Sequence, residues 1–122
     1  MAKVLLIEDD PTLVDMYKLK FTEQKFELVV TEKGGEGLEL AKKEKFDIIL
    51  LDIMLPEIDG FSILKELKAS PDTKDIPVIL LTNLAQETDK EKGIKMGAVD
   101  YLVKANHTPT QVVDKVRKIL HT

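Results

Sequence analysis

No cysteine and no tryptophan occur in this chain of 122 residues, and histidine appears only twice. Without cysteine there is no disulfide framework and no thiolate metal site. His107 and His121 are too few to build a zinc centre from imidazole alone, and both are expected at the surface. An excess of positive charge is also lacking. Eighteen basic residues against 22 acidic ones leave a net charge of −4, which excludes the basic face that nucleic-acid phosphates require. No apolar run approaches membrane-spanning length, and Met1-Ala2-Lys3 lead directly into a strand rather than a signal core. Repeats, linkers and low-complexity tracts are absent. The expectation is one soluble, cytoplasmic domain over residues 1–122, long enough to bury a substantial core.

What is present is an alternation of strand-like and helix-like segments, five of each, the pattern of an α/β fold with a parallel sheet. Val4-Leu5-Leu6-Ile7, Ile48-Ile49-Leu50-Leu51 and Val78-Ile79-Leu80-Leu81 are continuous apolar runs that suit strands buried on both faces. The second strand, 26–30, is interrupted by Glu27 and fits a sheet edge. Val99 to Val103 gives the fifth strand. Asp10-Pro11 offers an N-cap followed by proline at the first helical position, opening a helix with Leu13, Val14, Tyr17 and Phe21 on one face. Gly34, Gly35 and Gly37 mark the turn into the second helix, and Ile63, Leu64 and Leu67 give the stripe of the third. The fourth helix, 86–96, has little apolar periodicity and an internal Gly93, which costs about 1 kcal/mol relative to Ala; it is expected to be the least stable, with Gly97 as its left-handed cap. Thr108-Pro109 opens the last helix, whose stripe is Val112, Val113, Val116, Ile119 and Leu120.

Right-handed crossovers with the second strand at an edge give the order 2-1-3-4-5, a doubly wound, flavodoxin-like (βα)5 sheet. Its order reverses between strands one and three, where open α/β sheets bind ligands beyond the carboxyl ends of the strands. Glu8-Asp9-Asp10 close the first strand and Asp52 closes the third, so carboxylates converge at that point. Crowded like charges raise one another's pKa unless a cation lies among them, and a hard divalent ion with oxygen ligands answers the need. Asp10 serves as the helix cap. Thr82 and Asn83 follow the fourth strand and Lys104 the fifth, adding a hydroxyl and an ammonium to the same rim. A cation site with such groups suits phosphoryl transfer to a carboxylate.

Over its whole length the chain resembles the receiver domain of two-component response regulators. The matching residues are Glu8-Asp9, Asp52 followed by Met54, Pro56 and Asp59-Gly60, then Thr82, Tyr101 and Lys104. The resemblance implies that Asp52 accepts a phosphoryl group. It also implies that Mg²⁺ is bound by Asp9 and Asp52, by Glu8 through a water, and by the backbone carbonyl of Met54. Lys104 would hold phosphoryl oxygen or pair with Asp52, Thr82 would hydrogen-bond the phosphoryl group, and Tyr101 would move inward as Thr82 shifts. The repacked surface would be the fourth helix, fifth strand and last helix, docking a downstream protein. The implied donor is a histidine kinase or a histidine phosphotransfer protein. The chain would catalyse only its own phosphoryl transfer and loss, and a homodimer is open.

Three other classes fit less well. A flavodoxin-like carrier needs a Ser/Thr/Gly-rich phosphate loop where Glu8-Asp9-Asp10 stand. A phosphatase with an aspartate nucleophile wants an acid two residues on, where Met54 stands. A binding module that signals without phosphorylation would lack one of the acceptor, metal or lysine positions. The chain departs from the family in having Ala105, not proline, after Lys104, so a trans peptide is expected there. Asn83 replaces a smaller residue. Met54 and Leu84, two residues beyond acceptor and threonine, are apolar and implied to slow attack by water on the phosphoryl group.

Overall fold

The computed structural model describes all 122 residues. Five parallel strands, β1 Lys3–Ile7, β2 Glu27–Thr31, β3 Ile48–Leu51, β4 Val78–Thr82 and β5 Asp100–Val103, form one sheet in the order β2-β1-β3-β4-β5. The helices are α1 Pro11–Glu23, α2 Gly34–Lys43, α3 Gly60–Ala69, α4 Glu87–Lys95 and α5 Pro109–Leu120. Every residue of β3 and β4 is buried, as their unbroken apolar runs require of central parallel strands. β2 lies at the edge as expected but starts one residue later. Glu27 belongs to it, paired in register with Lys3 and exposed.

Side-chain alternation divides the core. Leu5, Ile7, Ile49, Leu51, Val78 and Leu80 face α2, α3 and α4, with Ala41, Phe61, Ile63, Leu64 and Leu67. Val4, Leu6, Ile48, Leu50, Ile79, Leu81 and Leu102 face α1 and α5, with Tyr17, Phe21, Val112, Val113 and Val116. Each of the last three valines is at most 1% exposed, worth about 1.5–3 kcal/mol apiece. Local signals act where the sequence places them. The Asp10 carboxylate accepts from the amides of Thr12 and Leu13 at 3.0 and 3.3 Å. Thr108 and Gln111 close a reciprocal capping box ahead of α5.

Three further expectations need adjustment. Gly93 is not merely a weak point of α4: it is buried, and a Cβ there would collide with the Leu80 side chain, so the glycine lets α4 lie directly on β4. His107 is half-buried rather than free in solvent, its Nδ1 3.1 Å from the Val103 carbonyl oxygen. The fifth strand starts at Asp100, one residue later than expected. Gly97 has φ +107° and follows the last residue of α4's cap, as its left-handed role requires. No peptide bond is cis; Lys104-Ala105 is trans, and a short 3₁₀ turn, Lys104–Asn106, leads on toward α5.

Candidate functional site

Glu8 and Asp52 each stand one residue past a strand, yet the ladder continues through them. The Glu8 amide donates to the Thr31 carbonyl and the Asp52 amide to the Ile7 carbonyl, both at 3.0 Å. Sheet parity therefore still holds, and both side chains share the face of Val4, Leu6, Ile48 and Leu50. Backbone register aims the two carboxylates together. Glu8 is 1% exposed and Asp52 3%.

Buried carboxylates need compensation, and this site supplies it in two ways. The Glu8 Oε2 atom accepts from the amides of Asp9 and Asp10 at 3.0 and 3.1 Å. Asp52 Oδ1 accepts from the Met54 amide at 2.9 Å. Lys104 crosses from the end of β5, its Nζ 2.5 Å from Glu8 Oε1 and 2.9 Å from Asp52 Oδ2. Burial would lower the lysine's pKa, but its bonds to Glu8 and Asp52 outweigh that and raise it, so the ammonium stays charged. Burial raises the Glu8 pKa, against the pull of Lys104 and the Asp10 amide and with a push from Asp52. Two acids with one lysine remain under-compensated.

That shortfall is where a cation fits. Glu8, Asp9 and Asp52 present oxygen atoms that all lie within 4.8 Å of one another. Glu8 Oε1 is buried and has no hydrogen bond of good geometry, only the charge of Lys104. Three carboxylates and no nitrogen or sulfur donor suit a hard ion such as Mg²⁺. Met54 lies in the loop beside them, 56% exposed, and is bridged to Asp59. A Cβ on Gly60 would strike the backbone of Ile53 and the carbonyl oxygen of Asp52, so glycine is what lets α3 begin this close to the loop that follows β3.

Thr82 is fully buried at the end of β4, and its hydroxyl accepts from the Leu84 amide at 3.2 Å. Tyr101 is 6% exposed; its hydroxyl donates to the Leu84 carbonyl at 2.7 Å. Burial, then the charge of Asp89, pushes its pKa up to about 12. Asn83 is exposed. The sequence reading missed the contact of Lys92 Nζ with the Phe61 ring, 4.3 Å from its centroid, which ties α4 to α3. No spacing rule links residues 31 positions apart, so only the fold reveals it.

The family model of the response regulator receiver domain matches residues 4–117. Protein PilH of Pseudomonas aeruginosa is 42% identical over 106 residues, covering 85% of this chain and 86% of that protein. Chemotaxis protein CheY4 of Vibrio cholerae shares the fold with a TM-score of 0.89 at 28% identity, over 98% of each chain. The receiver domain of sensor histidine kinase PA1611 from P. aeruginosa was solved with a magnesium ion coordinated in its active-site cleft. It superposes with a TM-score of 0.88 at 25% identity, covering 99% of this chain and 98% of that one. Several other curated relatives are longer, and the chain spans less than half of their length. From the matched model and the identity to PilH, the chain belongs to the response regulator receiver domain family.

Proposed function

We propose that this receiver domain takes up a phosphoryl group on Asp52 from a phosphohistidine donor, a histidine kinase or histidine phosphotransfer protein, and passes the change to a partner docked on α4, β5 and α5. The observation that carries the reading is the buried Glu8–Lys104–Asp52 group with Asp9 beside it. An Asp52 oxygen attacks phosphorus, the new O–P bond replaces the donor's N–P bond, and the released imidazole takes a proton. Mg²⁺, held by Glu8, Asp9, Asp52 and the Met54 carbonyl, would supply positive charge against the phosphoryl oxygens. Lys104 already touches Asp52 and remains cationic, so it needs only a small shift to meet a phosphoryl oxygen. The chain does no other chemistry; it catalyses its own transfer and loss.

Transmission follows from the hydrogen bonds. Thr82 turning its hydroxyl toward the phosphoryl group carries the Leu84 amide that it accepts from. The Leu84 carbonyl in turn holds the Tyr101 hydroxyl. Few apolar groups fasten α4, whose only buried residue is Gly93, and elements that switch come from the weakly held end of a structure. Ile94 of α4, 44% exposed, gives the partner an apolar anchor on this face. A cytoplasmic location belongs to the same reading, and no helix is long and apolar enough to cross a membrane. The test is intact mass after incubation with an acyl-phosphate donor. One phosphoryl group should be gained with Mg²⁺ and lost with chelator or in Asp52→Asn; equal labelling of the variant contradicts the reading.

A further inference from the structure

Lys104 delivers its ammonium from the end of β5 to Glu8 and Asp52, at 2.5 and 2.9 Å, yet little holds its backbone. β5 is the last strand of the sheet and ends at Val103, so Lys104 stands past the ladder. Ala105 and Asn106, which complete the 3₁₀ turn, are both exposed. Neither restricts the backbone as proline would. The side chain that does tie the turn down is that of His107.

His107 grips both sides of Lys104. Its ring Nδ1 lies 3.1 Å from the carbonyl oxygen of Val103, in the peptide unit that precedes the lysine. Its own amide donates to the Lys104 carbonyl, in the unit that follows, at 3.4 Å. Peptide units are rigid planes, so fixing one on each side of a Cα sets the direction of its Cβ and the root of the side chain. A carbonyl oxygen only accepts, so the neutral ring carries its proton on Nδ1. The start of α5 does not need this bond, because Thr108 and Gln111 cap that helix reciprocally and Pro109 opens it. The ring acts upstream, at Lys104.

We propose that His107 is a positioning residue for phosphoryl transfer, its ring holding the Val103 carbonyl so that Lys104 is aimed at the phosphoryl oxygens. The inference rests on reading Asp52 as the acceptor and Lys104 as the group that meets those oxygens. Lys104 changes partners by bending its stem, which is productive only from a fixed Cα. A misplacement of about 1 Å costs on the order of a hundredfold in rate, and a loosened turn gives part of that.

The rate of labelling by an acyl-phosphate donor at saturating Mg²⁺, and Mg²⁺ affinity by calorimetry, are compared for wild type, His107→Leu and His107→Asn. The Asn amide nitrogen comes close to the place of Nδ1 and can donate to Val103. His107→Leu should label roughly tenfold more slowly without weaker Mg²⁺ binding, since the carboxylates that hold the cation do not touch the ring. His107→Asn should regain most of the rate. In the wild type, ¹⁵N NMR should find the neutral imidazole protonated on Nδ1, a test that needs no variant. Four results each overturn the inference alone: labelling of His107→Leu within about twofold of wild type, no recovery in His107→Asn, weakened Mg²⁺ binding by His107→Leu, or a ring protonated on Nε2. Wild-type protein that takes no label overturns the acceptor reading and the inference with it.

Discussion

Replacing Lys104 with Met tests the electrostatic account of the site through stability. Lys104 Nζ is the only ammonium against Glu8 and Asp52, at 2.5 and 2.9 Å, and both acids are nearly sealed from water. Breaking a buried pair by removing one partner costs about 3–5 kcal/mol. The protein can limit the damage by protonating Glu8. From an ordinary value of 4.5 to pH 7 that costs about 3.4 kcal/mol, at 1.36 kcal/mol per unit. The two routes agree, so a loss of about 3 kcal/mol at pH 7 is predicted, or roughly 10–15 °C in melting temperature for a domain of this size. At pH 5 protonation costs only about 0.7 kcal/mol, and the deficit should shrink to match. The sign follows because carboxylates with raised folded-state pKa values hold their stability at low pH and lose it as pH rises past the unfolded value. Urea unfolding of wild type and variant at both pH values, without divalent ions, measures this. A deficit below about 1 kcal/mol at pH 7, or an equal deficit at pH 5, refutes the reasoning. Added Mg²⁺ should raise the variant's stability more than the wild type's.

Gly60→Ala should destabilise the fold by about 2 kcal/mol or more, because its methyl meets backbone rather than a yielding side chain; denaturant midpoints check it. Met54→Asn with Leu84→Glu should speed loss of the phosphoryl group, since polar groups beside the acceptor can orient a water that the apolar pair excludes. A decay assay on labelled protein decides, and equal rates refute the role of access. Both tyrosines should resist ionisation at pH 10, where a free phenol is half ionised, because burial raises their pKa values, that of Tyr101 to about 12. The associated stability is complete below pH 10 and is lost as the pH climbs toward 12; an ultraviolet titration of the folded protein showing half ionisation at pH 10 contradicts it.

The strand order was legible because right-handed crossovers and the charged edge residue Glu27 constrain it, and the meeting of Glu8, Asp9 and Asp52 because unbroken apolar runs end where the carboxylates begin. Asp10, Thr108 and Gly97 were legible because caps are local. What the sequence concealed depends on tertiary approach. Gly93 reads as a helix weakness until Leu80 is seen beneath it. His107 reads as exposed until the 3₁₀ turn after β5 folds its ring toward the Val103 carbonyl. The Lys92–Phe61 contact and the Tyr101–Leu84 hydrogen bond join elements whose approach no local pattern encodes.

The central claim is that Asp52 is the residue that carries the phosphoryl group. Borohydride cleaves an acyl phosphate and reduces the aspartate to homoserine, which peptide mass spectrometry locates. Protein treated with an acyl-phosphate donor and Mg²⁺, then reduced, should carry homoserine at position 52 alone, and none when chelator is present. Homoserine at Asp9 or any other position, or its formation regardless of chelator, would contradict the account.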